Sequence, residues 1–243
     1  MGKIFAVISG KGGTGKSTVS VGLAAAFAGL GQSVLLVDLD EGLRCLDTML
    51  GIEDNIVFDL GDLLNGGDFD DAVYAVKQMN GVSVIPAPRG STTIDPEGLA
   101  CFVQSVSDRF DAVVLDFPAG INEALIAPLL GVVNFITVCN PDPVSVRDAA
   151  AVSDALINAK TPVRLVINRF SVEAVKKSFG TNIDDIINRS GTRLIGIVPQ
   201  SDELALLSVR HKVSRRKRAG KAFSRIALRL LGRDVNLPTP KKI

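Results

Sequence analysis

Residues 10–18 read Gly-Lys-Gly-Gly-Thr-Gly-Lys-Ser-Thr, between an apolar run at 3–9 and an alanine-rich run at 17–30. The flanking runs predict a β-strand and then an α-helix, and the loop matches the P-loop pattern G-x-x-x-x-G-K-[ST] in full. Glycines let successive backbone N–H groups turn inward around a polyphosphate, and the following helix adds partial positive charge at its N-terminus. The stretch therefore predicts a phosphate-binding loop in an α/β protein.

All residues of this loop are candidate phosphate ligands: Gly10, Lys11, Gly12, Gly13, Thr14, Gly15, Lys16, Ser17 and Thr18. Lys16 is placed to reach the β- and γ-phosphates as a point charge. The hydroxyl group of Ser17 is placed to hold Mg²⁺, which takes hard oxygen ligands. The expected cofactors are ATP and Mg²⁺.

Carboxylates follow two further apolar runs. Residues 33–37 lead to Asp38 and Asp40, and residues 112–115 lead to Asp116, which has the Walker B pattern. In a parallel α/β sheet the carboxyl ends of the strands form the edge where ligands bind. A carboxylate there can hold Mg²⁺ through water or orient the attacking water. We expect all three to face the phosphates, with Ser17 and Asp116 holding the metal.

Strand-length apolar runs alternate with helical ones along the chain, and at least seven strands are expected. This order predicts an α/β fold with a doubly wound, mostly parallel sheet and helices on both faces. Residues 1–232 are expected to form a single P-loop ATPase domain, with 48–80 as peripheral acidic loops. The short tail 233–243 contains two prolines, which forbid a helix, and we expect it to be disordered.

A second lysine, Lys11, follows the first glycine of the loop, so that 11–17 has the form K-G-G-x-x-K-[ST]. Here the sequence resembles the deviant Walker A family of ATPases, to which MinD and ParA belong, and its MinD members most closely. The segment 38–47 resembles the switch I segment of that family, and 116–120 its D-x-P-A-G segment. Phe117 departs from the small hydroxyl residue that is usual after the aspartate.

The resemblance implies roles for individual residues. Lys11 would reach across a dimer to the ATP of the other subunit and act with Lys16 and Asp40 in catalysis, Asp40 by positioning water. Asp38 would support the metal site, which then consists of Ser17, Asp38 and Asp116. Asn168 ends the strand-like run 163–167, and its amide group offers the donor and acceptor that match the N6 and N7 edge of adenine. The family resemblance makes it the base-reading residue, and the expected adenine site consists of Asn168, Arg169, Pro199 and Gln200.

The charge of the chain is divided. Residues 210–243 hold 12 Lys and Arg against one acid, whereas 1–209 hold 15 against 25 Asp and Glu. The segment Arg210–Arg218 has six of these cations and could bind anionic lipid or DNA. Residues 219–232 predict an amphipathic helix, either packed on the body or touching a membrane. With no signal peptide or membrane span in the sequence, the expected location is the cytoplasm, or the periphery of the inner face of the membrane.

The leading hypothesis for the function is a slow, partner-stimulated Mg-dependent ATPase. It would dimerise with ATP and act in cell-division site selection or spatial positioning, with regulators of the MinC and MinE type as partners. The alternative is a ParA-type or flagellar-number regulator that binds DNA non-specifically through Arg210–Arg218. A third possibility is a metabolic ligase that activates a carboxylate, which would need a substrate pocket beside the γ-phosphate.

Overall fold

The computed structural model describes residues 2–90, 93–176 and 182–237. These residues form one eight-stranded sheet in the order β3-β4-β2-β5-β1-β6-β7-β8. Its neighbouring strands run parallel, except that β3 is antiparallel to β4. The strands are β1 (Lys3–Ile8), β2 (Val34–Asp38), β3 (Tyr74–Ala75), β4 (Val82–Ile85), β5 (Ala112–Asp116), β6 (Asn134–Cys139), β7 (Val163–Phe170) and β8 (Arg193–Pro199).

The helices cover both faces of this sheet, as predicted. Two 3-10 helices, Glu53–Asn55 and Ala127–Leu129, accompany them. The α-helices of the described residues are α1 (Lys16–Ala28), α2 (Cys45–Leu50), α3 (Leu60–Leu64), α4 (Phe69–Ala72), α5 (Pro96–Val106), α6 (Glu123–Ile126), α7 (Pro143–Asn158), α8 (Val172–Lys176), α9 (Ile183–Ser190), α10 (Asp202–Ala205), α11 (Leu207–Arg210) and α12 (Arg218–Leu230).

The central strand β1 shows why the sheet is buried on both sides. Its alternate residues Phe5 and Val7 pack with α1 and α12 in one core cluster. Ile4 and Ala6 point the other way and pack with α5 in a second cluster. Because side chains alternate between the faces of a strand, an unbroken apolar run is what a strand buried on both faces requires. β1 lies between β5 and β6, so the loop that follows it opens at the middle of the ligand-binding edge.

The C-terminal helix α12 is packed on the body, and this alternative of the sequence analysis is confirmed. Phe223, Ile226 and Ala227 are at most 1% exposed. The ring of Phe223 lies against Gly22 in α1, where an added Cβ atom would come within 2.3 Å of the ring. The close approach explains a glycine inside the helix that follows the P-loop.

One part of the chain differs from expectation, and a second part is described only in part. Residues 48–80 are not only peripheral loops, because Leu50 and Leu60 are fully buried and β3 adds an antiparallel edge strand to the sheet. The predicted tail 233–243 is described only as far as 237, where no helix or strand forms; 238–243 lie outside the described residues. The described part is tied to α12, since Arg229 Nε donates a hydrogen bond of 2.6 Å to the carbonyl oxygen of Val235.

Candidate functional site

The loop between β1 and α1 has the backbone that its glycines predict. Gly13 and Gly15 have φ angles of 79° and 84°, in the left-handed region that favours glycine. Gly15 also lies so close to Asn168 that an added Cβ atom would be 2.3 Å from its Nδ2. No side chain caps the N-terminus of α1. The first N–H groups of this 13-residue helix are therefore free to bind an anion, in the manner of phosphate-binding loops.

Lys16 and Asp116, which the sequence analysis assigned to the phosphates and to the metal, meet at the start of α1. Lys16 Nζ lies 3.6 Å from Asp116 Oδ1, and the two side chains are 7% and 1% exposed. Ser20 Oγ donates a hydrogen bond of 2.8 Å to the same carboxylate oxygen. Ser20 was missed from the sequence, although its position one turn after Lys16 on the same helix face was a usable signal. Burial raises the pKa of Asp116, and the charge of Lys16 offsets part of that rise.

Asp38 lies beside Asp116, because the two residues are register partners on the parallel strands β2 and β5. Asp38 is fully buried. Its two oxygens accept hydrogen bonds from the backbone N–H groups of Asp40, at 2.9 Å, and Leu46, at 3.3 Å. Burial, and then the charge of Asp116, raise the pKa of Asp38 to about 8. Both causes favour the protonated form of the Asp38 carboxyl group.

The residues present fit a magnesium ion that is bound together with a nucleotide. Ser17, Asp38 and Asp116 supply the hard oxygen atoms that Mg²⁺ prefers. Asp116 Oδ2 is buried and has no hydrogen-bond partner. Among the described residues, no group of three or more His, Cys, Asp or Glu side chains could hold a metal alone. Mg²⁺ commonly binds through one or two carboxylates plus substrate phosphates and water, which agrees with this sparse set of ligands.

The shifted pKa of Asp38 leads to a prediction for the chain without nucleotide and metal. Its folded pKa of about 8 exceeds the unfolded value of 3.8, so its contribution to stability is complete below the unfolded pKa and is lost as the pH rises through the folded pKa. The free energy of unfolding should fall between about pH 5 and pH 8, at up to about 1.4 kcal/mol per pH unit. Urea unfolding across this range measures the slope. Asp38→Asn should flatten it, whereas equal slopes in both proteins would contradict the assignment.

The four predicted adenine residues line one cavity of about 270 Å³. Asn168 is 2% exposed, and its Nδ2 donates a hydrogen bond of 2.8 Å to the carbonyl oxygen of Thr14. Its Oδ1 is buried without a partner. One amide hydrogen of Asn168 thus binds the P-loop, and Oδ1 remains available to accept a hydrogen bond. The cavity is also lined by Thr18, which was predicted as a phosphate ligand, and by residues that the sequence analysis missed: Ser201, Asp202, Leu204 and Ala205.

Lys11 and Asp40, the other predicted catalytic residues, are less buried than Lys16 and Asp116. Lys11 is exposed, while its carbonyl oxygen accepts a 2.9 Å hydrogen bond from Ser9 Oγ. The backbone at Lys11 is therefore held and its side chain is free to extend outward. Asp40 is half-buried, and its Oδ1 accepts a bond of 3.2 Å from the N–H group of Leu43.

An arginine that the sequence analysis passed over anchors the segment after Asp40. Arg44 has a φ angle of 43° and donates two hydrogen bonds, of 2.9 and 2.7 Å, to Asp47 Oδ2. Its NH1 lies 3.5 Å from Asp59. Asp59 also accepts from the N–H group of Arg89 at 2.9 Å and caps α3. This network, in which Asp47 and Asp59 are buried, fixes the far end of the segment 38–47.

The fold and the loop together define a P-loop nucleotide-binding protein. The family model described as "CobQ/CobB/MinD/ParA nucleotide binding domain" matches residues 5–214, and the chain belongs to this family of ATPases. The septum site-determining protein MinD of Bacillus subtilis (strain 168) is 35% identical over 255 residues, covering 98% of this chain and 92% of that protein. The MinD protein of Thermotoga maritima is 31% identical, covering 98% and 91%.

Solved structures share the fold of this chain. A chain of the MinC:MinD cell division protein complex from Aquifex aeolicus has a TM-score of 0.87 at 30% identity, with 98% of each chain covered. The MinD of Pyrococcus horikoshii OT3, solved in complex with Mg-ADP, has a TM-score of 0.83 at 24% identity, with 95% and 96% covered.

Among the described residues, no helix is long and apolar enough to cross a membrane.

Proposed function

We propose that this chain is a Mg²⁺-dependent ATPase that dimerises when it binds ATP, and that it acts in division-site selection or a related positioning process. The observation that carries the proposal is the contrast between its two loop lysines. Lys16 is buried against Asp116, whereas Lys11 is exposed at the mouth of the same loop. A lysine fixed by its backbone but extended into solvent is available to a second subunit. Closing two such loops on each other would complete both phosphate sites.

The proposed chemistry divides the work among the residues already described. Lys16 of one subunit and Lys11 of the other stabilise the negative charge that spreads over the γ-phosphoryl oxygens. Asp40 orients the attacking water. Ser17, Asp38 and Asp116 would hold Mg²⁺, which neutralises developing charge on the phosphates when it is bound. Because Lys11 must come from another subunit, we propose that ATP turnover is slow in the monomer. We also propose that a stimulating partner increases it.

The partners we propose follow from the relatives. The Aquifex aeolicus MinD was solved in a complex with MinC, and this chain is similar to it over nearly its whole length. We propose a regulator of the MinC type, and a stimulating partner of the MinE type, for this chain. Both are expected to bind the ATP-bound dimer in preference to the monomer.

The test is the molar mass in solution. With Mg²⁺ and a non-hydrolysable ATP analogue, light scattering should give a dimer, and with ADP a monomer. Lys11→Ala should bind the analogue with an affinity within about threefold of the parent, because an exposed charge contributes little within one subunit, but should stay monomeric. A fully dimeric Lys11→Ala protein would remove the role of Lys11 across the interface.

A second candidate, the DNA-binding alternative, is favoured by one observation. In Arg210–Arg218 the six cations Arg210, Lys212, Arg215, Arg216, Lys217 and Arg218 are exposed. The ion pairs found among the described residues include none of them. The segment is nevertheless held in place, since Glu203 accepts a 2.7 Å hydrogen bond from the N–H group of Ser214. A fixed surface of unpaired cations suits a polyanion such as DNA or an anionic membrane.

Changing Arg215, Arg216, Lys217 and Arg218 to glutamine should weaken this binding. If the partner is duplex DNA, the slope of log K against log salt should decrease by about 3 to 4. If it is an anionic vesicle, affinity should fall by about 1 kcal/mol per cation, with little binding to duplex DNA. Sedimentation with each polyanion separates the two. Parental binding that does not change with salt, or that survives the four changes, would remove the proposal.

The ligase alternative gains no support from the cavity next to Asp40. This cavity, of about 300 Å³, has Asp40 and Glu41 among its lining residues, and no Lys or Arg among the described residues lines it. Two carboxylates without a cation would repel a carboxylate substrate. We therefore propose the ATPase switch and not a carboxylate-activating ligase.

A further inference from the structure

Between the buried Leu39 and the anchored Arg44, the loop that carries Asp40 has few contacts to the rest of the protein. Gly42 and Leu43 are exposed, Leu43 to 73%, and the cavity of about 300 Å³ lies beside residues 39–42. The hydrogen bonds of Asp40 are local: its N–H group donates to Asp38, and its oxygens accept from Leu43 and Arg44. A short exposed loop next to empty space is mobile unless another contact fixes it.

Glu41 supplies such a contact. Its Oε1 accepts a hydrogen bond of 2.7 Å from the N–H group of Ile94, 53 residues further along the chain. Among the hydrogen bonds of the described residues 40–43, this is the one that leaves the β2–α2 region. A bond of this length to a carboxylate is charge-assisted and about twice as strong as a neutral one. Glu41 and Ile94 both belong to the lining of the cavity, so the bond lies at its wall.

The far end of this bond is rigid. Ile94 is 2% exposed and belongs to the core cluster that packs β1, β2 and α5. Asp95, the next residue, caps α5 with a hydrogen bond of 2.7 Å from the N–H group of Gly98. Glu41 therefore fastens the residue beside Asp40 to a fixed point of the body. Leu39, on the other side of Asp40, is fully buried.

We propose that Glu41 is a positioning residue for ATP hydrolysis: by binding Ile94 it holds the Asp40 loop where the Asp40 carboxylate can orient water. The inference rests on the proposed role of Asp40. It concerns hydrolysis and not nucleotide affinity, because the phosphate loop and the adenine cavity are formed by other residues. A displacement of about 1 Å in a catalytic group can cost up to 100-fold in rate.

The test compares single-turnover hydrolysis with nucleotide affinity. Glu41→Ala should slow hydrolysis about tenfold or more while the Kd for ATP stays within about twofold. Glu41→Gln keeps the oxygen acceptor and should restore the rate to within about threefold of the parent. Glu97→Ala, which removes an exposed carboxylate in the first turn of α5, is the matched control and should hydrolyse like the parent.

A double-mutant cycle shows whether Glu41 acts through Asp40. In the Asp40→Ala background, Glu41→Ala should cause no further loss, because the group that it positions is already gone. An unchanged rate in Glu41→Ala, an equal loss in Glu41→Gln, or an additive loss in the double variant would overturn the inference while leaving Asp40 its role. If Asp40→Ala itself hydrolyses at the parental rate, the water-orienting assignment is wrong and the positioning role falls with it.

Discussion

Replacing Lys16 with alanine should weaken ATP binding by about 100-fold or more, because the variant loses a charge-assisted contact to two phosphates in a buried site. Lys16 is 7% exposed and lies 3.6 Å from Asp116. Its removal also leaves the Asp116 carboxylate without its cation, and burial then raises the pKa of Asp116 further. Isothermal titration with ATP and Mg²⁺ measures the loss.

The matched control for this change is Lys77→Ala, since Lys77 is exposed and remote from the loop in sequence. It should bind ATP like the parent chain. The Lys16→Ala protein should also retain its fold, because the buried side chains of α1, from Val19 to Phe27, are untouched. Parental affinity in a folded Lys16→Ala protein would mean that the loop does not bind the triphosphate in the proposed way.

Replacing Asp40 with alanine should leave ATP binding intact and slow hydrolysis by about 100-fold or more, within the range expected of a positioned acid or base. Because hydrolysis is the step that opens the proposed dimer, the variant should accumulate as a dimer with ATP itself. Single-turnover phosphate release and light scattering measure the two effects. Asp54→Ala, at an exposed position in the 3-10 helix Glu53–Asn55, is the control. Hydrolysis of ATP by Asp40→Ala at the parental rate would contradict the assignment.

Much of the fold follows from local patterns in the sequence. The apolar runs that end in Asp38 and Asp116 correctly predicted parallel strands, because a strand buried on both faces must be apolar throughout. That the two strands are neighbours is seen only in the structure. The sequence analysis did not predict the strand β3, Tyr74–Ala75, because two residues are too few to show the alternation of a strand. Its pairing with β4 depends on how residues 48–80 pack on the sheet.

The candidate site was also predictable from the sequence only in part. Lys16, Asp38 and Asp116 could be placed from the sequence, because strand ends and the P-loop meet at one edge of the sheet. The contact of Asn168 with Thr14 could not, since it joins residues 154 positions apart. The same is true of Glu41 and Ile94, whose bond is made by a side chain to a backbone N–H group that no sequence pattern marks.

The central claim, that Lys11 acts on the ATP of another subunit, is tested most directly by mixing two inactive variants. Lys11→Ala and Asp40→Ala should each hydrolyse little ATP alone. In a mixed dimer, the Lys11→Ala subunit keeps its own Asp40 and receives Lys11 from its partner, so one complete site forms. In an equal mixture made before ATP is added, about half of the dimers should be mixed, and one of the two sites in each mixed dimer is complete. The hydrolysis rate of the mixture should therefore be about a quarter of the parental rate. A mixture no faster than either variant alone would show that Lys11 does not act across the dimer.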